Sequence, residues 1–90
     1  MSEGPAWHVA VSPGAIRSLD RLPAKVAAAV VEFITVTLPD NRERMSKPLR
    51  NELEGLRSAR RGDYRTLFAP DDQTATLLVV RIAHRADVYR

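Results

Sequence analysis

The chain has no cysteine among its 90 residues, which excludes disulfide staples and thiolate metal sites. Its two histidines, His8 and His84, stand far apart and outside any ligand-spaced cluster, so no metal and no other cofactor is expected. No apolar run approaches the length that crosses a bilayer, and the N-terminus lacks a basic-plus-apolar signal region. A soluble, cytoplasmic protein with no membrane partner is therefore expected. There are no internal repeats, low-complexity tracts or linkers, and a chain this short has room for one core, so residues 1–90 read as a single domain. Lysine is nearly absent: Lys25 and Lys47 stand against twelve arginines.

The arginines are unevenly placed. Residues 1–41 carry a net charge of −1, whereas residues 42–90 carry eleven bases against seven acids, a net of +4. The densest stretch is Leu56 to Arg65, with four arginines and the single acid Asp63. It reads as two strands folded back around Arg61-Gly62. So many guanidinium groups on one hairpin would repel each other without an anionic partner, and the planar fork of arginine matches phosphate oxygens.

The first half carries a scaffold pattern. Ala6 to Val11 alternates, with Trp7, Val9 and Val11 on one face and His8 on the exposed one, which predicts a half-buried strand. Ser12-Pro13 is a helix start, a serine cap followed by proline where its missing N–H is no loss. Ala15, Ile16, Leu19 and Leu22 recur at helical spacing. A second helix begins at Pro23 with Val26, Val30, Phe33, Ile34 and Thr37 as its inner stripe, and Pro39-Asp40-Asn41 stops it.

Residues 41–53 lack a clear period and read as a connecting loop with a helical turn near Arg50 to Leu53. The paired strands then follow at 56–60 and 63–69, with a turn at Pro70 to Gln73. Thr74 to Ala83 is the most hydrophobic strand, and the unbroken run Leu77 to Val80 predicts burial on both faces. Arg81 within it reads as a snorkelling or ion-paired residue. The result is an α+β domain: an N-terminal strand, a helical hairpin, and a three-stranded antiparallel meander, with the helices packed on one sheet face. Function is expected on the other face.

With Arg61-Gly62 as the turn, Arg60 pairs with Asp63 and Ser58 with Arg65. Ser58, Arg60, Asp63 and Arg65 then share the open face, while Arg57, Ala59, Tyr64, Thr66 and Phe68 lie on the other. A charge at Arg65, near the sheet centre, is costly without a partner; Asp63, Glu54 and Asp87 are the candidate acids, and phosphate is the alternative.

The stretch Gly-Leu-Arg-Ser-Ala-Arg-Arg-Gly-Asp-Tyr-Arg at 55–65 and the ending His-Arg-Ala-Asp-Val-Tyr at 84–89 resemble the RelE/ParE superfamily of bacterial toxins. Ser-Pro-Gly-Ala at 12–15 and Lys-Pro-Leu at 47–49 also look like that family, the element order agrees, and the ending resembles actinobacterial members, mycobacterial ones included. The resemblance is to the RelE branch. It implies the toxin of a type II toxin–antitoxin pair, a metal-independent, ribosome-dependent endoribonuclease that cuts mRNA in the ribosomal A site. Its implied partners are a cognate antitoxin, mRNA on the ribosome, and operator DNA only together with the antitoxin.

Carried over by position, the resemblance makes Arg65 and Arg85 phosphate or transition-state residues and Tyr89 the C-terminal aromatic of the RNA site. His84 joins them as a catalytic candidate because imidazole has the right chemistry for proton transfer, with Asp87 as a residue to orient His84 or Arg85 or to cap a short helix. Where the best-studied RelE branch has two lysines, this chain has Leu56 and Ser58, so Arg57, Arg60, Arg61 and Lys47 are the candidates to bind RNA. A ParE-type inhibitor of DNA gyrase and a non-catalytic nucleic-acid-binding module are the alternative readings.

Overall fold

Backbone pairing, rather than the helices, sets the plan of the molecule. The structure, a computed structural model, describes residues 7–86. A five-stranded sheet runs in the order β1-β5-β4-β3-β2, from β1 (His8–Val11), β2 (Ser46–Pro48), β3 (Arg57–Arg61), β4 (Tyr64–Asp71) and β5 (Thr76–His84). Only β1 and β5 pair in parallel; every other neighbouring pair is antiparallel. A parallel pair needs a long crossover, and here everything between β1 and β5 supplies it.

The two helices begin as the sequence dictates. In α1 (Pro13–Asp20) the Ser12 hydroxyl accepts from Ala15 N–H at 3.1 Å, and proline occupies the first turn. The same hydroxyl donates to Val80 O at 3.1 Å, and Ser12 N–H donates to Val79 O, so the cap also ties α1 to β5. The second helix, α2 (Ala24–Glu32), runs on through one π turn, Phe33–Thr37, to a last α turn, Leu38–Asp40. Pro39 accounts for the widening. A proline ring collides with the carbonyl four residues back, and in this turn Leu38 N–H reaches five residues back, to Phe33 O. Asn41 Nδ2 then closes the end on Thr37 O at 2.8 Å.

The core lies between the helices and one sheet face. Ala15, Val30, Phe33, Ile34 and Leu38 meet Ala59, Phe68, Leu77, Val79 and Ile82, all nearly inaccessible to solvent. Trp7, Val9, Leu19, Leu22, Val26 and Tyr64 pack around that centre. Burial of each large aliphatic or aromatic side chain is worth about 1.5–3 kcal/mol.

Three expectations are corrected. Residues 41–53 are not simply a loop, because β2 forms there and pairs with β3; three residues at a sheet edge are too few to show a period, and an edge tolerates Pro48. The helical turn expected near Arg50 to Leu53 is present, as a 3₁₀ turn at Asn51–Leu53. The run Leu77 to Val80 is not buried on both faces: Leu77 and Val79 are fully buried, but Leu78 is 41% exposed. The helices cover one face only, and Leu78 lies across from Ala10 and Ala69 on the other. The turn after β4 also falls later, since β4 extends to Asp71, whose carboxylate caps Gln73 N–H at 2.9 Å.

Candidate nucleic-acid interface

The arginine hairpin turns at Gly62-Asp63, one residue later than expected. Arg61 pairs with Tyr64, Arg60 with Arg65, Ala59 with Thr66, Ser58 with Leu67 and Arg57 with Phe68. Gly62 has φ +61°, and a positive φ at the first central position is what a tight II′ hairpin requires. Moving the turn by one residue shifts the strand register by two. Because side chains alternate with period two, that shift leaves each residue on its expected face. Ala59, Thr66 and Phe68 are buried under the helices, and Ser58, Arg60 and Arg65 lie opposite. Asp63 moves from the strand pair into the turn.

On that open face β2 and the segment before it form the wall of a groove of about 630 Å³. Arg44, Lys47, Ser58, Arg60 and Arg65 supply its polar lining, with Met45, Pro48 and Leu49 as apolar lining, and among the described residues no carboxylate lines it. Arg60 and Arg65 are directly opposed across the ladder. Like charges so placed are unfavourable unless an anion shares them. Arg65 is the more enclosed of the two, with its Nε buried in the sheet face. Arg60 is exposed, and its Nε donates to Gly62 O at 3.0 Å, which steadies it over the turn.

The structure thus brings Lys47, Arg60 and Arg65 together and adds Arg44, which the sequence reading missed. The only signal for Arg44 was its closeness to Lys47, and that carries meaning only once β2 is known to pair with β3.

The remaining candidates lie elsewhere. Arg57 sits on the helix side, half-buried, with Nε donating to Ser46 Oγ at 2.6 Å and Nη2 donating to Ser46 O at 3.1 Å and Glu43 O at 3.4 Å. Ser46 Oγ in turn bonds to Arg42 O, and the Arg42 guanidinium lies 3.7 Å over the Trp7 ring. Arg57 therefore pins the segment that walls the groove without lining it. Arg61 also faces the helix side, beside Lys25 and Tyr64.

Arg85 follows β5 and extends its ladder, donating its N–H to Asp63 O at 2.7 Å while its Nε lies 3.6 Å from Asp63 Oδ1. It stands two residues beyond Ala83, which opposes Arg65. His84 pairs with Tyr64 instead, the two rings meeting edge to face at 5.4 Å, and so lies on the opposite face from Arg65. Tyr89 and Asp87 lie outside the described residues. Among the described residues no group of His, Cys, Asp and Glu could hold a metal ion, and no helix is long and apolar enough to cross a membrane.

A small α+β fold with helices on one sheet face and a cationic groove on the other is the build of the compact toxins of bacterial toxin–antitoxin pairs. The profile of the ParE toxin of type II toxin–antitoxin systems matches residues 9–89, and the chain belongs to this toxin family. Its relatives place it on the RelE branch. It is 51% identical over 90 residues to Toxin RelE of Mycobacterium tuberculosis, covering all of this chain and 93% of that one. It is 50% identical over 84 residues to Toxin RelG of the same organism, covering 93% and 97% of the two chains. Among solved structures it resembles the RelBE2 toxin–antitoxin complex of M. tuberculosis, with TM-score 0.85 and 43% identity over 90% of this chain and 100% of that one. The intact Escherichia coli RelBE complex shares the fold, with TM-score 0.69 at 12% identity over 88% of this chain and 96% of that one.

Proposed function

We propose that this type II toxin is a single-domain, metal-independent endoribonuclease that cuts mRNA in the ribosomal A site and is held inactive by a cognate antitoxin. The observation that carries the reading is the convergence of Arg44, Lys47, Arg60 and Arg65 on one groove, on the sheet face the helices leave open. The RelE names of its half-identical relatives support the same reading.

RNA cleavage without a metal requires the ribose 2′-hydroxyl to lose its proton and its oxygen to attack the phosphorus, the P–O5′ bond to break with protonation of the departing 5′-oxygen, and stabilisation of the extra charge on the phosphorane between them. Arg65, enclosed and held by the sheet, is the group to stabilise that charge, because a fixed guanidinium needs no reorganisation as charge develops. Arg60, Lys47 and Arg44 would hold the flanking phosphates, and Arg85, at the end of the ladder, would add a second guanidinium once released from Asp63. Arginine stays protonated and cannot serve as base. His84 lies on the other sheet face, which leaves Tyr89, or positioning of the 2′-hydroxyl by the ribosome, to promote its deprotonation.

An acidic antitoxin segment that covers the groove would neutralise the same cations, and the pair would act together on operator DNA in the cytoplasm. The test is induction of the toxin followed by primer extension on cellular mRNA. Cuts within translated codons, lost in Arg65→Ala and Arg85→Ala, are expected. The family profile carries the name of ParE toxins, so the second reading is inhibition of DNA gyrase; DNA damage with intact mRNA would decide for it.

A further inference from the structure

The wall of the groove carries apolar side chains that the phosphate chemistry leaves unused. Met45, Pro48 and Leu49 all line it from the β2 segment. Met45 stays 40% exposed although it is large and apolar. The register explains its direction: Lys47 opposes Ser58, so alternation from Lys47 turns Met45 and Leu49 to the same side, that of Ser58 and Arg60. Leu49 keeps this alternation beyond β2, because its N–H donates to Leu56 O at 2.9 Å.

The backbone, not a loose turn, holds Met45 in that place. Its N–H donates to Asn41 O at 2.9 Å. From the helix side Arg57 Nη2 donates to Glu43 O and to Ser46 O, the carbonyls that bracket Arg44 and Met45. One guanidinium behind the wall therefore fixes a cation and a thioether side by side in front of it. At about 630 Å³ the groove exceeds what a phosphate group needs. It falls in the range of roughly 300–1,000 Å³ that holds whole small molecules. A single nucleic-acid strand presents both surfaces such a groove would meet, a charged backbone and the apolar faces of its bases. A thioether makes favourable contact with an aromatic ring, and a serine hydroxyl can donate to or accept from a base edge.

We propose that the β2 wall is a nucleobase subsite, in which one unstacked base lies against Met45 and Leu49 with its edge at Ser58. This subsite rests on the groove being an RNA interface, where Lys47 and Arg60 hold the flanking phosphates. Met45 is then a specificity-determining residue with no part in the phosphorane chemistry.

The test is fluorescence anisotropy of the purified toxin with two labelled single strands of equal length and phosphate count. One is a fully 2′-O-methylated oligoribonucleotide of mixed sequence, and the other is abasic throughout. The strand with bases should bind about two- to tenfold tighter, the weight of one sulfur–aromatic contact. Met45→Ala and Met45→Gln should both erase that difference and leave the abasic affinity unchanged, which also shows that the variants are folded. Lys47→Ala should instead weaken both strands alike and lower the salt slope by about 0.7, the share of one phosphate on a single strand. Ser58→Ala should narrow the spread of affinities among the four 2′-O-methylated homopolymers, and an unchanged spread removes Ser58 from the subsite. Equal affinity for the two strands, or a difference that survives both Met45 variants, overturns the subsite. The groove then remains a phosphate-binding surface and Met45 is left to an apolar side chain of a protein partner. Failure of both strands to bind at low salt removes the RNA interface itself, and the subsite with it.

Discussion

On β3, Arg57 and Arg60 stand three residues apart and face opposite ways. Arg57 lies on the helix side with three hydrogen bonds to the β2 segment, whereas Arg60 is exposed at the groove, opposite Arg65. The two residues carry the same chemistry, yet one holds the wall of the site and the other lines it. Partners make the difference: a guanidinium whose donors are taken by Ser46 and Glu43 is part of the fold, and one aimed into an open groove beside a second cation is available to an anion.

The comparison can be broken most directly at Arg65. Arg65→Ala should reduce ribosome-dependent cleavage by about 10²–10³-fold, the weight of one preorganised charge-stabilising donor, with little change in melting temperature. A rate near wild type would remove Arg65 from the chemistry. Arg57→Ala should do the reverse, costing about 1–3 kcal/mol because Ser46 and its neighbours lose their donors. In a domain this small each kcal/mol lowers the melting temperature by roughly 4–8 °C. An unchanged melting curve would show that Arg57 does not pin β2.

Gly62→Ala sharpens the contrast in a different way. A Cβ there meets nothing within 4 Å, so the whole cost is the left-handed backbone at φ +61°, about 1–2 kcal/mol. Denaturant unfolding of Gly62→Ala and Gly62→Asn would separate the two, since asparagine tolerates that region better. The smallest effect is expected at Asp63, whose ion pair with Arg85 is exposed on both sides. Asp63→Asn should change stability by about 0.5 kcal/mol or less, and a double-mutant cycle with Arg85→Gln in low and high salt would measure it.

Much of the scaffold is readable along the chain because the signals are local. Ser12-Pro13 caps α1 wherever the rest of the molecule goes, and the alternation of Val9 and Val11 orients β1 against the core. The hairpin is the instructive case. Its turn falls one residue later than Arg61-Gly62 suggests, yet Ser58, Arg60 and Arg65 keep their common face, because a register shift of two preserves alternation. Arg60 and Arg65 were legible as candidates for the same reason, whereas Lys47 was named only through the family resemblance. Arg44 was not, because β2 is too short to have a period and its neighbours matter only once it pairs with β3. The exposure of Leu78 was hidden too, since an apolar run does not reveal whether both sheet faces are covered.

The sequence by itself therefore determined which residues are helical, which strands alternate, and that arginine is concentrated in one hairpin, all of which follow from interactions between residues a few positions apart. Only the tertiary structure decided which arginines line the groove and which hold the fold. It set Arg57 against Ser46, Arg61 and His84 beside Tyr64 on the helix side, and Arg60 and Arg65 at the groove with Lys47 and Arg44. Those assignments depend on which face the helices cover and on which edge β2 occupies, and both are settled by packing between segments distant in the chain.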